Sequence, residues 1–147
     1  MSTLVSAKED DYLYLATSQI GDAGTKLFTA VKIYSEEVIC LFHGEILSQS
    51  EQHRRFLAGD DSYFIDMNDG TVMDCAHIEG KAKYANDVSG PSLSKFLNNS
   101  YITFDDDDRV CLTATRNIAS GEEIFCSYGR DYWKNFRKHA KKTRSSL

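Results

Sequence analysis

The sequence predicts one domain that is mainly β with short helices. Short stretches rich in β-branched and aromatic residues recur between polar breaks, and only two stretches carry a helix signal. The 147 residues make one ordinary domain with enough material for a core, and no repeat, linker or low-complexity block divides them. Strands are expected over 26–31, 38–42, 63–67, 71–74, 101–104, 110–114 and 123–127. Asn68-Asp69-Gly70 reads as the turn between the third and fourth of these, because Asp-Gly suits positive φ angles in a tight hairpin. A helix is expected from Ser48, which stands at capping-box spacing from Glu51. Another follows Asp131 as its cap, with Trp133, Phe136 and Ala140 on one face.

Apolar residues make up 41% of the chain and charged ones 27%, the balance of a soluble globular protein. The longest apolar run, 38–42, is far short of a membrane span, so no membrane partner is expected. Lys8, Glu9, Asp10 and Asp11 interrupt the place where a secretory signal would carry its apolar core, and an intracellular protein is expected. Cys40, Cys75, Cys111 and Cys126 stand singly on or beside apolar segments, without a CxxC or CxC pair. They read as buried reduced thiols rather than ligands, and no metal site is expected.

The net charge of −5 conceals an uneven distribution. No acidic residue follows Asp131, whereas Lys134, Arg137, Lys138, Lys141, Lys142 and Arg144 are all basic. That end reads first as a solvated helix end and tail, and second as a nuclear address or a weak nucleic-acid contact. The acidic run from Asp105 to Asp108 reads first as a solvated hairpin loop and second as a steering patch for a basic peptide. His43 and His77 read as ordinary surface or core residues.

Four segments occur in an order that carries more than any one of them. IGDAGTKLFTA over 20–30 precedes EEVICLFHGE over 36–45; Tyr63 opens YFIDM; Asp74 is followed by GKAKYAND over 80–87; and ATRNIASGEEIFCSYGRDYW covers 114–133. Taken together they resemble the SET domain, the family of S-adenosylmethionine-dependent protein lysine methyltransferases. The ending YGRDYW is similar to that of the short stand-alone viral members. The resemblance implies a SET fold of small β-sheets with a C-terminal pseudoknot, a domain over 1–133 and a basic helix or tail over 134–147.

It also implies site residues. Tyr128 matches the catalytic Tyr, whose hydroxyl lies at the pore where amine and methyl donor meet, and Tyr63 matches a second channel Tyr that orients the substrate amine. Gly24 matches the first Gly of the opening motif, where the backbone approaches the cofactor, with Thr25 beside it; Lys26 stands where the family has its second Gly. Asn86 matches the Asn that contacts the methionine portion. Asp87 and Val88 replace the His-Ser pair that follows it, and Lys83 replaces an Arg. Trp133 or Tyr132 could stack on the adenine or close the substrate channel. Cys126 stands two residues before Tyr128, where many members carry an aromatic that limits methyl number; the smaller group leaves space, and the methylation state stays open. Glu122 and Glu123 are expected to be structural carboxylates of the turn, one of them paired with Arg or Lys.

The expected substrate is a basic extended peptide such as a histone tail, docked as an added strand beside Tyr63, and the nucleus is the expected compartment. A non-catalytic SET module that binds a peptide or protein partner is the alternative, motivated by Lys26, Asp87 and Val88. A nucleic-acid-associated structural protein using the basic tail is a third reading.

Overall fold

The computed structural model describes residues 8–20, 24–85 and 98–127. A four-residue helix, α1 (Glu9–Tyr12), runs straight into β1 (Leu13–Thr17), which pairs antiparallel with β2 (Thr25–Thr29) from Leu13↔Thr29 to Thr17↔Thr25. After β3 (Val38–Leu41) and β4 (Glu45–Leu47) comes the helix α2 (Gln49–Leu57), then β5 (Phe64–Asp66) and β6 (Val72–Asp74). A 3-10 turn, Ala82–Tyr84, precedes β7 (Ser100–Phe104), β8 (Val110–Ala114) and the two-residue β9 (Cys126–Ser127). Besides the β1-β2 hairpin there is a four-stranded sheet ordered β3-β8-β7-β9 and a three-stranded sheet ordered β4-β6-β5. The mainly β architecture expected from the sequence is therefore present.

Most expected strands form, trimmed by a residue or two. Strand β8 matches its expected range, and all five of its residues are buried between neighbouring strands. Its sequence VCLTA accordingly lacks the polar alternation of a half-exposed strand. Three differences are informative. Tyr63 lies in the turn before β5 rather than in the strand. The hairpin at Asn68-Asp69-Gly70 is a three-residue loop, with Met67 N–H donating to Thr71 O at 2.9 Å, and within 68–70 only Gly70 has positive φ. Asp69 instead accepts bonds from the backbone and hydroxyl of Thr71, which hold its carboxyl below the usual carboxylate range. The segment expected as one strand over 123–127 divides between two sheets: Glu123 bridges to Phe28 of β2, and β9 then runs parallel to β7.

One continuous cluster forms the main core. Leu27, Ile33, Ile39, Leu112, Ile118 and Ile124 are fully buried in it, together with Cys40, Ala85 and Cys126. Burial of each such Leu or Ile contributes about 1.5–3 kcal/mol. All four cysteines are buried thiols, as expected. Burial pushes the thiols of Cys40 and Cys111 up and that of Cys75 to about 11, so they are neutral thiols at neutral pH.

Helix α2 is capped as its sequence suggests, Ser48 Oγ accepting from Glu51 N–H at 3.2 Å. The other half of the box is redirected, because Arg54 and Arg55 take the Glu51 carboxylate. No residue of α2 is buried, so ion pairs hold it in place. Arg55 reaches Glu45 at 2.7 Å and the fully buried Asp74 at 2.8 Å, tying the helix to strands β4 and β6. The run from Asp105 to Asp108 is the β7-β8 hairpin loop, in which Asp105 accepts from Asp107 N–H and from the backbone and guanidinium of Arg109. Among the described residues no helix is long and apolar enough to cross a membrane. The basic segment 134–147 and the closing part of the expected pseudoknot lie outside the described residues.

Candidate active site

The opening motif forms the turn into β2. Gly24 adopts φ +78° and lies exposed, and a β-carbon added there would meet nothing within 4 Å, so its face is open to a ligand approaching the main chain. Its carbonyl accepts from Ser18 N–H at 2.8 Å, which closes the loop between β1 and β2. Thr25 follows, exposed and opposite Thr17. Lys26 lies opposite Ala16, on the face that carries the stacked rings of Tyr14 and Phe28. The next residue, Leu27, is fully buried on the other face. Lys26 thus keeps partial exposure on the hairpin.

The last described segment packs directly on that hairpin. Thr29 N–H donates to Glu122 O at 3.1 Å, and Ile124 N–H donates to Leu27 O at 2.9 Å. Glu122 pairs with Arg116 at 3.0 Å, as expected of one of the two glutamates. Glu123 behaves differently. It is fully buried and carries no basic partner in its bonds; its Oε2 accepts from Ser18 Oγ at 2.7 Å and its Oε1 from Gln19 N–H at 2.8 Å. Asn99 fixes the backbone on the far side, donating to Glu123 O at 2.9 Å and accepting from Phe125 N–H at 2.9 Å. Neither Ser18 nor Asn99 stands in a recognisable motif, and Glu123, which both bind, is more than twenty residues from either in sequence.

Tyr63 joins the same region through the backbone. It is 40% exposed, and its carbonyl accepts from Cys75 N–H at 3.2 Å. Lys83, on the 3-10 turn, donates from Nζ to three carbonyls, those of Cys75 at 3.1 Å, Ala76 at 3.2 Å and Ile78 at 2.9 Å. One ammonium has three N–H donors, and here each finds a carbonyl. The same ammonium lies 5.7 Å from the centre of the Tyr84 ring. Ala85 then enters the core cluster that also holds Leu27 and Cys126. The segments leading to Gly24, Asn86 and Tyr128 are therefore brought to one buried cluster, with the Tyr63 turn linked to it through Cys75 and Lys83.

Gly24, Thr25, Lys26, Tyr63 and Cys126 are placed by these contacts; Cys126 is fully buried on β9. Asn86, Asp87, Val88, Tyr128, Tyr132 and Trp133 lie outside the described residues. His43 and His77 are surface side chains facing Glu9 and Asp60.

Small sheets whose first hairpin is clamped by the segment leading into the final strand define a mainly β protein with its candidate site where opening and closing segments meet. The SET domain model matches residues 24–129, and the chain belongs to the SET-domain family. It is 26% identical over 124 residues to histone-lysine N-methyltransferase mes-4 of Caenorhabditis elegans, covering 76% of this chain and 14% of that protein. It is likewise 26% identical over 124 residues to histone-lysine N-methyltransferase 2D of Homo sapiens, covering 82% of this chain and 2% of that protein. Among solved structures it resembles a humanized mutant of the Chaetomium thermophilum Polycomb Repressive Complex 2 bound to the inhibitor GSK343, with a TM-score of 0.63 and 27% identity, covering 80% of this chain and 15% of the other. The GSK126-bound form matches with a TM-score of 0.64, 25% identity and the same coverage. The chain thus spans a small fraction of the length of these relatives.

Proposed function

We propose that this protein is a protein-lysine N-methyltransferase that uses S-adenosylmethionine and acts on a histone tail or a similar basic peptide, in the nucleus. The observation that supports this most is the convergence of three motif segments, with Leu27, Ala85 and Cys126 in one buried cluster, in a chain of the SET family. The domain spans 1–133 in this reading, followed by a basic helix or tail over 134–147. The described part of the donor cradle fits such a cofactor: Gly24 offers an open main-chain face, and Lys26 beside it stays partly exposed on the hairpin. Asn86 and Asp87 complete the cradle, and Tyr132 with Trp133 closes the channel.

When bound, S-adenosylmethionine supplies an electrophilic sulfonium methyl for direct in-line displacement. The residues of this chain have the remaining tasks. A free lysine has a pKa of about 10.4, so presenting its neutral amine at neutral pH costs about 4 kcal/mol unless the site lowers that value. An aromatic channel lined by Tyr63 and Tyr128 excludes water and lowers it by desolvation. The Tyr128 hydroxyl aligns the amine, Tyr63 orients it from the channel wall, and alignment of the reacting atoms provides much of the rate. The small side chain of Cys126 leaves room beside the amine. The peptide adds as a strand beside Tyr63, which lies exposed in the turn before the edge strand β5.

Labelled cofactor with histone tail peptides, read by mass spectrometry, tests this reading. Transfer of label to lysine is expected, and Tyr128→Phe should lower kcat by about a hundredfold or more while leaving the thermal midpoint unchanged. Absence of methyl-donor binding in calorimetry would instead favour a non-catalytic module.

A further inference from the structure

Glu123 is a buried carboxylate that neither the core nor an ion pair explains. A charged group with zero exposure is costly to bury unless its oxygens are hydrogen-bonded. Both of its oxygens are used on a single short stretch, Oε2 by Ser18 Oγ and Oε1 by Gln19 N–H. Ser18 Oγ in turn accepts from Ile20 N–H at 3.0 Å, and Ser18 N–H donates to Gly24 O. The direction of donation is therefore fixed from Ile20 through Ser18 to Glu123. The bonds join residues 105 positions apart in sequence, Ser18 just after β1 and Glu123 at its bridge to β2. The backbone of Glu123 cannot drift, since Asn99 holds its carbonyl and Phe28 bridges it on the other side.

We infer that Glu123 is a positioning residue, which holds Ser18 and Gln19, and through the bond from Ser18 N–H to the Gly24 carbonyl holds Gly24, and so sets affinity for the methyl donor. The inference rests on the reading that Gly24 lies against that donor. The carboxylate itself touches no reacting atom.

The test uses the full chain and two mild variants. Ser18→Ala removes one donor, and Glu123→Gln keeps the volume but replaces an acceptor with an N–H₂ group. Each should weaken S-adenosylmethionine binding in calorimetry about five- to twentyfold. KM for the donor should rise by the same factor, with kcat at saturating donor and KM for the peptide unchanged. The double variant should bind no more weakly than the worse single one, because both changes break one linked network. Hydrogen exchange at the amides of Gln19 and Ile20 should accelerate in both variants, while Leu112 and Ile124 keep wild-type protection. Donor affinity equal to wild type in both variants, or equal losses in donor and peptide binding, would overturn the inference and leave a structural role. A wild-type chain that itself binds no donor would defeat the proposed function and the inference with it, an outcome recognised before any variant is compared.

Discussion

Single residues carry the local geometry that the site depends on, and two of them make separable predictions. Gly44 precedes β4 and packs on β6, where an added β-carbon would come within 2.7 Å of both the Asp74 carbonyl oxygen and Met73 Cγ. The first of these is backbone in a paired strand, so it cannot yield without disturbing the sheet. Gly44→Ala should cost about 1–3 kcal/mol of stability, read as a thermal midpoint lower by several degrees. Lys83 makes a different case, since its three bonds tie the turn before β7 to the loop after β6. Lys83→Met keeps the stem but leaves three carbonyls without their charged donor, and should cost about 1–3 kcal/mol. Lys83→Arg should recover only part of this, because a planar guanidinium fork cannot reproduce three converging ammonium bonds. Urea unfolding of the three proteins compares these losses directly.

Secondary-structure elements here depend on charge as well as on apolar burial, and α2 is the clearest instance. Its Arg55 meets Asp74, whose side chain is fully buried. Removing one partner strands a buried carboxylate, so Arg55→Ala should destabilise by about 3 kcal/mol or more in denaturant unfolding. Acid should weaken the same helix in a defined window. Hydrogen bonds from Arg54 and then Arg55 lower the Glu51 carboxyl from the ordinary 4.5 to about 2. A carboxyl depressed in the folded state contributes stability in full above 4.5 and loses it as pH falls through about 2. The midpoint difference between wild type and Glu51→Gln should therefore shrink across that interval. Its size is small, since the side chain is partly exposed and its ion pairs are screened by solvent. The elements that the sequence announced are those with a local cause: the Ser48 cap, the Gly70 turn and the apolar strand β8. Those it did not announce lack one. Strand β1 runs Leu13-Tyr14-Leu15 without polar alternation, β4 has three residues, and α1 has four, too few for any period to register.

At the scale of the whole molecule, the order of four motifs pointed to the SET family, and the family match over 24–129 agrees. The turn at Gly70 and the pairing of one of the two turn glutamates with a basic residue were each legible from residue type and position. What the sequence left unread is the tertiary wiring. Ser18 and Glu123 meet across 105 residues, and Asn99 binds the backbone on both sides of Ile124, which no local pattern encodes. Division of the segment after Gly121 between β2 and β7 has the same origin, because it follows from the long-range bonds of Asn99 rather than from strand propensity. Those long-range bonds also hold the Ser18-Gln19 stretch and the segment 122–125 against each other. The central claim is that this protein transfers a methyl group to lysine. Its most direct measurement is mass spectrometry of histone tail peptides incubated with isotopically labelled S-adenosylmethionine and either the wild-type chain or Tyr128→Phe. Label on a lysine with the wild type, reduced at least about a hundredfold in the variant, is the predicted result; no label above background with a folded, donor-binding wild type would contradict it.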